Sequence, residues 1–296
     1  MSAAANAAKF LAAINGIPAK VIFKKHLGVK NVSATGDFTF DLPLKVNYHR
    51  MWLKCETSAP ALLTEAQIET AISKVQLTVD GQVKVSASAT VLNDVRNYEE
   101  GGNAGGSANG YLLVDLTKQL QLVQQSYLLR YGTADVDQMV LTVTVASTAA
   151  LAKMTLFGDV DNEPNVPLGT HLKFQSVHNS DETSGIQEIT SGLPFANRRE
   201  VLRKLHIITT QCSQLNAEIN GAVYHPDVPK TLNDEGLQMK NKTPISTWYS
   251  LDFSTDNDIT AGLEMPFAEY RFQPTMDSAT TGGYDVYFET IQQPAA

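Results

Sequence analysis

Cysteine is scarce in this sequence: Cys55 and Cys212 are the two in 296 residues. Neither has a second Cys nearby, which excludes a zinc ribbon and a CxxC redox pair. Two readings remain open for them, buried free thiols used as small apolar fillers or one bridge between the halves. Long apolar runs are missing as well. No stretch of about 18 apolar residues occurs, so nothing here spans a bilayer as a helix. Basic clusters are the third absence. Lys and Arg number 23 against 31 Asp and Glu, the formal charge is −8, and no basic run stands out. That excludes a protein that wraps nucleic acid through phosphate contacts. The charge balance suits an abundant soluble protein whose copies repel one another.

Catalytic signatures are also lacking. There is no HExxH, no GxSxG elbow and no GxxxxGK[ST] loop. His26, His49, His171, His178, His206 and His225 are scattered, with no two placed three or four apart on a helix. Each reads as a strand or loop residue rather than a ligand. No catalytic residue and no organic cofactor is therefore expected. Asp159, Asp161 and Glu163 alternate like the start of a calcium loop, but the Gly and closing Glu of an EF-hand are missing. They read as a solvated hinge or as a weak site for a divalent cation such as calcium. Glu99-Glu100, beside a Gly-rich stretch, is read the same way. Arg198-Arg199 and Lys204 make a small basic patch. It reads as the solvated face of a short helix over 197–205, with acidic lipid or a neighbouring subunit as the other candidates.

What is present is a repetition. Val79-Asp80-Gly81-Gln82-Val83 leads to Leu92-Asn93-Asp94, and Ile219-Asn220-Gly221-Ala222-Val223 leads to Leu232-Asn233-Asp234. One shift of 140 residues carries Gly81 to Gly221 and Leu92 to Leu232 without a gap. At nearly the same shift, Tyr111 to Thr117 lines up with Trp248 to Ser254. A period of about half the chain means a duplicated domain and not a short-period solenoid.

Strand patterns dominate both copies. Phe38 to Leu42, Val46 to Leu53, Val75 to Val79 and Met139 to Ala146 alternate or are rich in β-branched residues. Tyr284 to Ile291 occupies the matching late position in the second half. Asp80-Gly81 and Asn220-Gly221 are hairpin turns, since both residue types tolerate positive φ. Thr64 with Gln67 forms a capping box that predicts a helix over 64–73. Further helices are expected over 118–130 and 257–270, each after an Asp (Asp115 and Asp252) that satisfies backbone N–H groups. The plan of each copy is strand, turn, strand, long loop, strand, helix, strand. The Gly-rich run 99–110 reads as an exposed loop tip, and 178–192 as an exposed connection. Residues 1–15 are Ala-rich and a poor signal peptide. Lys9, Phe10, Leu11 and Ile14 suit a short amphipathic helix, in a loose arm or against a membrane or partner. The expected division is an arm over 1–30, a first jelly roll over 31–158, a linker over 159–169 and a second jelly roll over 170–296. The fold class is all-β with a few short helices, as two β-sandwiches of eight strands each.

The capped helix at Thr64 to Ile68, the strand from Val75, the Asp-Gly turn and Leu92-Asn93-Asp94 resemble the N-terminal jelly roll of corticovirus-type major coat proteins. The coat proteins of the finnlakeviruses share that architecture. Both groups are tailless icosahedral phages with an internal membrane. The resemblance implies a double jelly roll, two eight-stranded antiparallel sandwiches side by side. It also implies a homotrimer with a pseudo-hexagonal outline that tiles the virion shell beside neighbouring trimers. The implied partners are vertex (penton) and minor capsid proteins and the membrane beneath the shell, with no sequence-specific nucleic acid. Assembly would take place in the bacterial cytoplasm. The other reading of the residues is a tandem β-sandwich that binds carbohydrate on Trp52, Trp248, Tyr249 and Tyr284. Their strand positions point instead to core packing.

Overall fold

The computed structural model describes residues 22–99, 110–117, 129–161, 163–189, 200–254, 262–265, 267 and 269–293. The first lobe runs through β1 (Ile22–Asn31), β2 (Gly36–Asp41), β3 (Tyr48–Glu56), helix α1 (Glu65–Ala71), β4 (Ile72–Val79) and β5 (Gln82–Ala87). Helix α2 (Ala89–Glu99), β6 (Tyr111–Asp115), β7 (Met139–Val145) and β8 (Lys153–Asp161) complete it. Its strands form two antiparallel sheets in the orders β1-β8-β3-β6 and β2-β7-β4-β5. The second lobe has β9 (His171–Asn179), β10 (Gly185–Ile186), β11 (Glu200–Ile208), β12 (Cys212–Ile219) and β13 (Ala222–Pro229). After helix α3 (Lys230–Met239) come β14 (Trp248–Asp252), β15 (Leu263–Glu264), β16 (Tyr270–Met276) and β17 (Tyr284–Gln292). Its sheets run β9-β17-β11-β14 and β10-β16-β12-β13, with β15 added beside β11. The two strand orders are the same jelly-roll winding, so the fold is a double jelly roll.

Alternation builds each core. On β3, Met51, Leu53 and Cys55 point inward to meet Val75 and Leu77 of β4 and Leu141 and Val143 of β7. In the second lobe Leu205 and Ile207 of β11 meet Leu215 of β12 and Phe272 of β16. The hairpin turns repeat in detail. Asp80 and Gly81 have φ of 47° and 76°, Asn220 and Gly221 have 51° and 76°. Both residues of each pair lie at positive φ, which fits the twist of the flanking strands. Each turn is also latched to the start of the neighbouring strand. Asp80 Oδ1 accepts from the N–H of Asp137 and Gln138, and Asn220 Oδ1 accepts from Glu269 N–H. Helix α1 carries the expected capping box, with Gln67 N–H on Thr64 Oγ1 and Thr64 N–H on Gln67 Oε1.

Several expectations are corrected. Residues 22–30 form most of β1 instead of an arm, held by antiparallel pairing to β8. The helix over 197–205 is replaced, from Glu200 on, by β11, which pairs with both β14 and β17. In 257–270, Leu263 pairs with Leu202 and Tyr270 opens β16, so sheet pairing overrides the helical spacing there. Residues 1–21, 100–109, 118–128, 190–199 and 255–261 lie outside the described residues, with the arm helix, Glu100, Arg198 and Arg199 among them. The Leu-Asn-Asp segments are not in loops. They sit in helices α2 and α3, directly after each hairpin. By strand order β17 answers to β8, and β7 answers to β16. In the 178–192 connection, Gln187 and Ile189 are buried, and Ile189 bridges to Phe272.

The lobes share one sheet. β5 lies parallel to β9 through the single pair Val85 and Phe174, joining β2-β7-β4-β5 to β9-β17-β11-β14. Every other ladder among the described strands is antiparallel.

Candidate functional site at the junction of the lobes

Helix α2 is capped by Ser88, whose Oγ accepts from Val91 N–H at 3.2 Å. Val91, Leu92, Val95 and Tyr98 then recur at helical spacing and are buried. The C-terminal end of α2 rests on the outer face of the second lobe. A bulge at Arg203 interrupts the pairing of β11 with β17. Beyond it Leu205 and Ile207 face the second core, while Lys204 and His206 face α2. The Tyr98 and His206 rings meet edge to face at 5.3 Å, and Trp248 lies on the other side of His206 at 5.2 Å.

Around these rings is a buried charge cluster. Glu99 accepts from Lys204 Nζ and, at 2.5 Å, from Lys242 Nζ. Arg203 Nη1 donates to Glu289 Oε1 at 2.7 Å, and Lys204 Nζ lies 3.7 Å from the same oxygen. Tyr98 OH donates to Asp252 Oδ2 at 3.4 Å. Three cations (Arg203, Lys204, Lys242) thus face three carboxylates (Glu99, Glu289, Asp252). Arg203, Lys204 and Glu289 have no exposed surface. Burial, then the Lys204 charge, pulls the Lys242 ammonium below its ordinary range, and Glu99 opposes this. Burial and Lys204 also push His206 down to about 4. Buried, balanced charges add little net stability, but each is costly to leave alone. They fix one docking geometry between the lobes.

The first lobe carries the same frame. β3 has its bulge at His49, and beyond it Arg50 stands opposite Asp159 and Asp115. Lys204 stands opposite Glu289 and Asp252 in the same way. Arg50 reaches Asp115 at 3.7 Å, Lys24 Nζ donates to Asp159 Oδ1 at 2.7 Å, and Trp52 Nε1 donates to Asp159 Oδ2 at 2.8 Å. The Lys24 side chain is 61% exposed, with its ammonium 4.5 Å from the Trp52 ring centre.

The residues singled out from sequence are thereby placed. Lys204 is not on a solvated helix face but is a buried strand residue. Glu99 is not an open loop residue but the anion between two lysines. Asp159 and Asp161 are buried at the end of β8, so they form no solvated hinge. Asp161 accepts from Asn47 Nδ2 and pairs with His49 Nε2, both at 2.8 Å, and Arg130 spans Asp161 and Glu163. A cation there would compete with a guanidinium. Among the described residues no group of three or more His, Cys, Asp or Glu is arranged to hold a metal ion. Asp115 and Asp252 do cap turns, accepting from Thr117 N–H and Ser254 N–H.

All six histidines lie on strands. His26 packs edge to face on Phe157, His178 pairs with Asp285, and His225 Nε2 donates to Tyr249 OH. His171 is held by Gly169 O and Gln292, and burial pushes it down to about 4. The four aromatics do not converge. Tyr249 and Tyr284 are in the second core, Trp248 is at the junction, and Trp52 is half-buried on the outer face of the first lobe, not in a core. Cys55 and Cys212 are free and buried, which removes the bridge; burial pushes both thiols up to about 12. The sequence reading missed the cluster because its charges come from α2, β11, β14, β17 and Lys242, scattered over much of the chain. One local signal was the flanking of Arg203-Lys204 by Val201, Leu202 and Leu205, with Ile207 and Ile208 beyond His206.

Comparison with known proteins gives two family matches, the viral coat protein P2 N-terminal domain over residues 23–161 and the viral coat protein P2 C-terminal domain over 172–294. No curated protein matches the chain. Among solved structures, the major capsid protein P2 from Bacteriophage PM2 superposes with a TM-score of 0.78 at 14% identity, over 93% of this chain and 98% of that one. The STIV major capsid protein gives a TM-score of 0.64 at 11% identity, over 93% and 97%. The PBCV-1 virus capsid chain gives 0.57 at 9%, over 92% and 95%. At these identities the superpositions establish a shared double jelly-roll fold.

Proposed function

The chain belongs to the viral coat protein P2 family, and from that premise we propose that three copies join into one pseudo-hexagonal tile of an icosahedral shell. It is a major capsid protein of the virion, structural and not enzymatic. As a coat protein it assembles with copies of itself and with other virion components. The observation that supports the trimer is the repetition of one winding in two side-by-side lobes. Three such chains present six equivalent lobes, so a true threefold object fills a nearly sixfold lattice position. In this reading trimers abut neighbouring trimers, meet vertex and minor capsid proteins, and lie over an internal membrane after assembly in the bacterial cytoplasm. The chain divides functionally into two jelly rolls, with the turn between β8 and β9 as the connection.

The test is the mass of the purified protein by light scattering, followed by imaging of assembled particles. A species of three 32.2 kDa chains and a hexagonal outline in projection are the expected results. A stable monomer that binds a glycan array would overturn the tile and restore the carbohydrate-binding alternative.

A further inference from the structure

The shared sheet stops early at its seam, and a polar groove lies where it stops. β5 and β9 pair once, at Val85 and Phe174. Past that pair, Ser86 of β5 and Ser176 of β9 line a groove of about 440 Å³ instead of extending the ladder. Helix α2 forms one wall, through Thr90, Val91 and Asp94. The second lobe supplies Ile208, Thr247, Trp248 and Asp285, from the adjoining ends of β11, β14 and β17. These strand ends are remote from Gln292 and from the turn between β8 and β9. A groove of this size at a domain junction is typical of small-molecule sites.

Two polar groups bordering this groove lack partners among the described residues. Trp248 is 2% exposed, yet its indole N–H has no acceptor there and keeps solvent contact. The ring is packed, with His206 against it at 5.2 Å, so the donor is oriented before anything binds. Asp94 is partly buried and makes no hydrogen bond or ion pair. The nearby Glu65 and Glu69 add to its negative field. Asp285 holds His178 Nδ1 on Oδ1 at 2.8 Å, and a carboxylate has further acceptor sites.

The mixture of groups decides the class of occupant. A small anion is repelled by Asp94 and Asp285. A small cation suits the carboxylates but meets the Trp248 N–H and the Lys74 ammonium, which it cannot use. A hydroxyl donates to a carboxylate and accepts from an N–H or an ammonium, so a molecule with several hydroxyls uses all of these groups. Ser86, Thr90 and Thr247 add hydroxyls that serve in either role, and Val91 and Ile208 offer apolar contact to C–H groups. We infer that this groove binds a neutral saccharide, with Asp94 and Asp285 accepting from sugar hydroxyls and Trp248 Nε1 donating to one. Of the four aromatics considered from sequence, Trp248 alone borders the groove. The activity adds to the coat-protein role. It lies within one chain and needs no second copy.

The test puts the purified full-length protein on an array of neutral and charged glycans. Titration calorimetry with maltotriose and chitotriose follows, with spermine and sulfate as charged probes. At least one neutral glycan should bind saturably, and neither spermine nor sulfate should displace it. Asp94→Asn keeps the side-chain volume and removes the charge that Glu65 and Glu69 oppose, so the fold is retained. It should weaken that glycan on the order of tenfold, the loss of one hydrogen bond to a charged group. Trp248→Phe should weaken it as well, through the missing N–H. Asp277→Asn, at an exposed carboxylate outside the groove, should leave binding unchanged. No neutral-glycan signal on the array or in either titration overturns the inference. So does a glycan that binds both groove variants as well as the wild type. Spermine bound in preference to the saccharides, and lost in Asp94→Asn, makes the groove a cation site instead. A trimer that binds no glycan leaves the tile standing and removes the site, whereas a monomer that binds one in this groove keeps the site and removes the tile.

Discussion

Glu99 is the residue on which the junction turns, because it is the carboxylate from the first lobe that meets Lys204 and Lys242 of the second. Glu99→Gln leaves both ammonium groups buried with one negative charge fewer. The expected loss is about 3–5 kcal/mol, read from urea unfolding. Adding Lys242→Met should recover part of it, and a loss below about 1 kcal/mol would show that the cluster is solvated. His206 sets a pH dependence at the same place. Its folded value is about 4, and burial lowers His171 to about 4 as well, against roughly 6.5 in an unfolded chain. Above about pH 6.5 neither state binds the proton and native stability is complete. Between about 6.5 and 4 only the unfolded state binds it, so stability falls as pH falls, and below about 4 the effect levels off. Each group contributes on the order of 3 kcal/mol over that window. Asp94 works the other way, since burial, then Glu69 and Glu65, push its carboxyl up to about 6. His206→Asn should therefore flatten the rise of the urea midpoint between pH 4 and 6.5. Parallel curves for variant and wild type would refute the assignment.

At the scale of elements, the two hairpins are the sharpest test of duplication. Gly81 and Gly221 share a φ of 76°, and a Cβ at either would meet nothing within 4 Å. Gly81→Ala and Gly221→Ala should then cost the same, about 1 kcal/mol, from backbone conformation alone. Unequal losses in urea unfolding would show that the turns are alike in letters but not in energetics. The helices after those turns were harder to see. Val91, Leu92, Val95 and Tyr98 have helical spacing, and Ser88 caps them, but the Asp-Gly turn and β-rich flanks favour a loop reading. In the second copy Leu232 and Leu237 leave a thinner stripe, with Pro229 at the start. Conversely, Leu263 and Tyr270 have helical spacing and yet join strands, because β11 and β12 offer open edges there. Pairing with a neighbour outweighs a weak local preference.

For the whole molecule, the shared sheet and the buried cluster imply that the lobes unfold together. Separating them would take Glu99 away from Lys204 and Lys242 and open the cluster to water. Trp248 lies at the junction and Trp52 on the outer face, and the chain has no other Trp. In a Trp52→Phe background, Trp248 fluorescence should change at the same urea concentration as the far-UV signal. An earlier fluorescence change would mean that the lobes part before they unfold.

The amino-acid sequence by itself determined the duplication, the alternating strands, the two turns and the capped helix at Thr64. Each of these is a local matter, fixed by side-chain period, positive φ or a cap within a few residues. It also contained the two Asp turns, whose backbone partners lie two residues away. Only the tertiary structure decided that Lys204 and Glu99 are buried together and that Asp159 and Asp161 belong to β8. Those outcomes depend on which strands become neighbours. Strand pairing brings together residues more than 100 positions apart, and no local pattern records that choice.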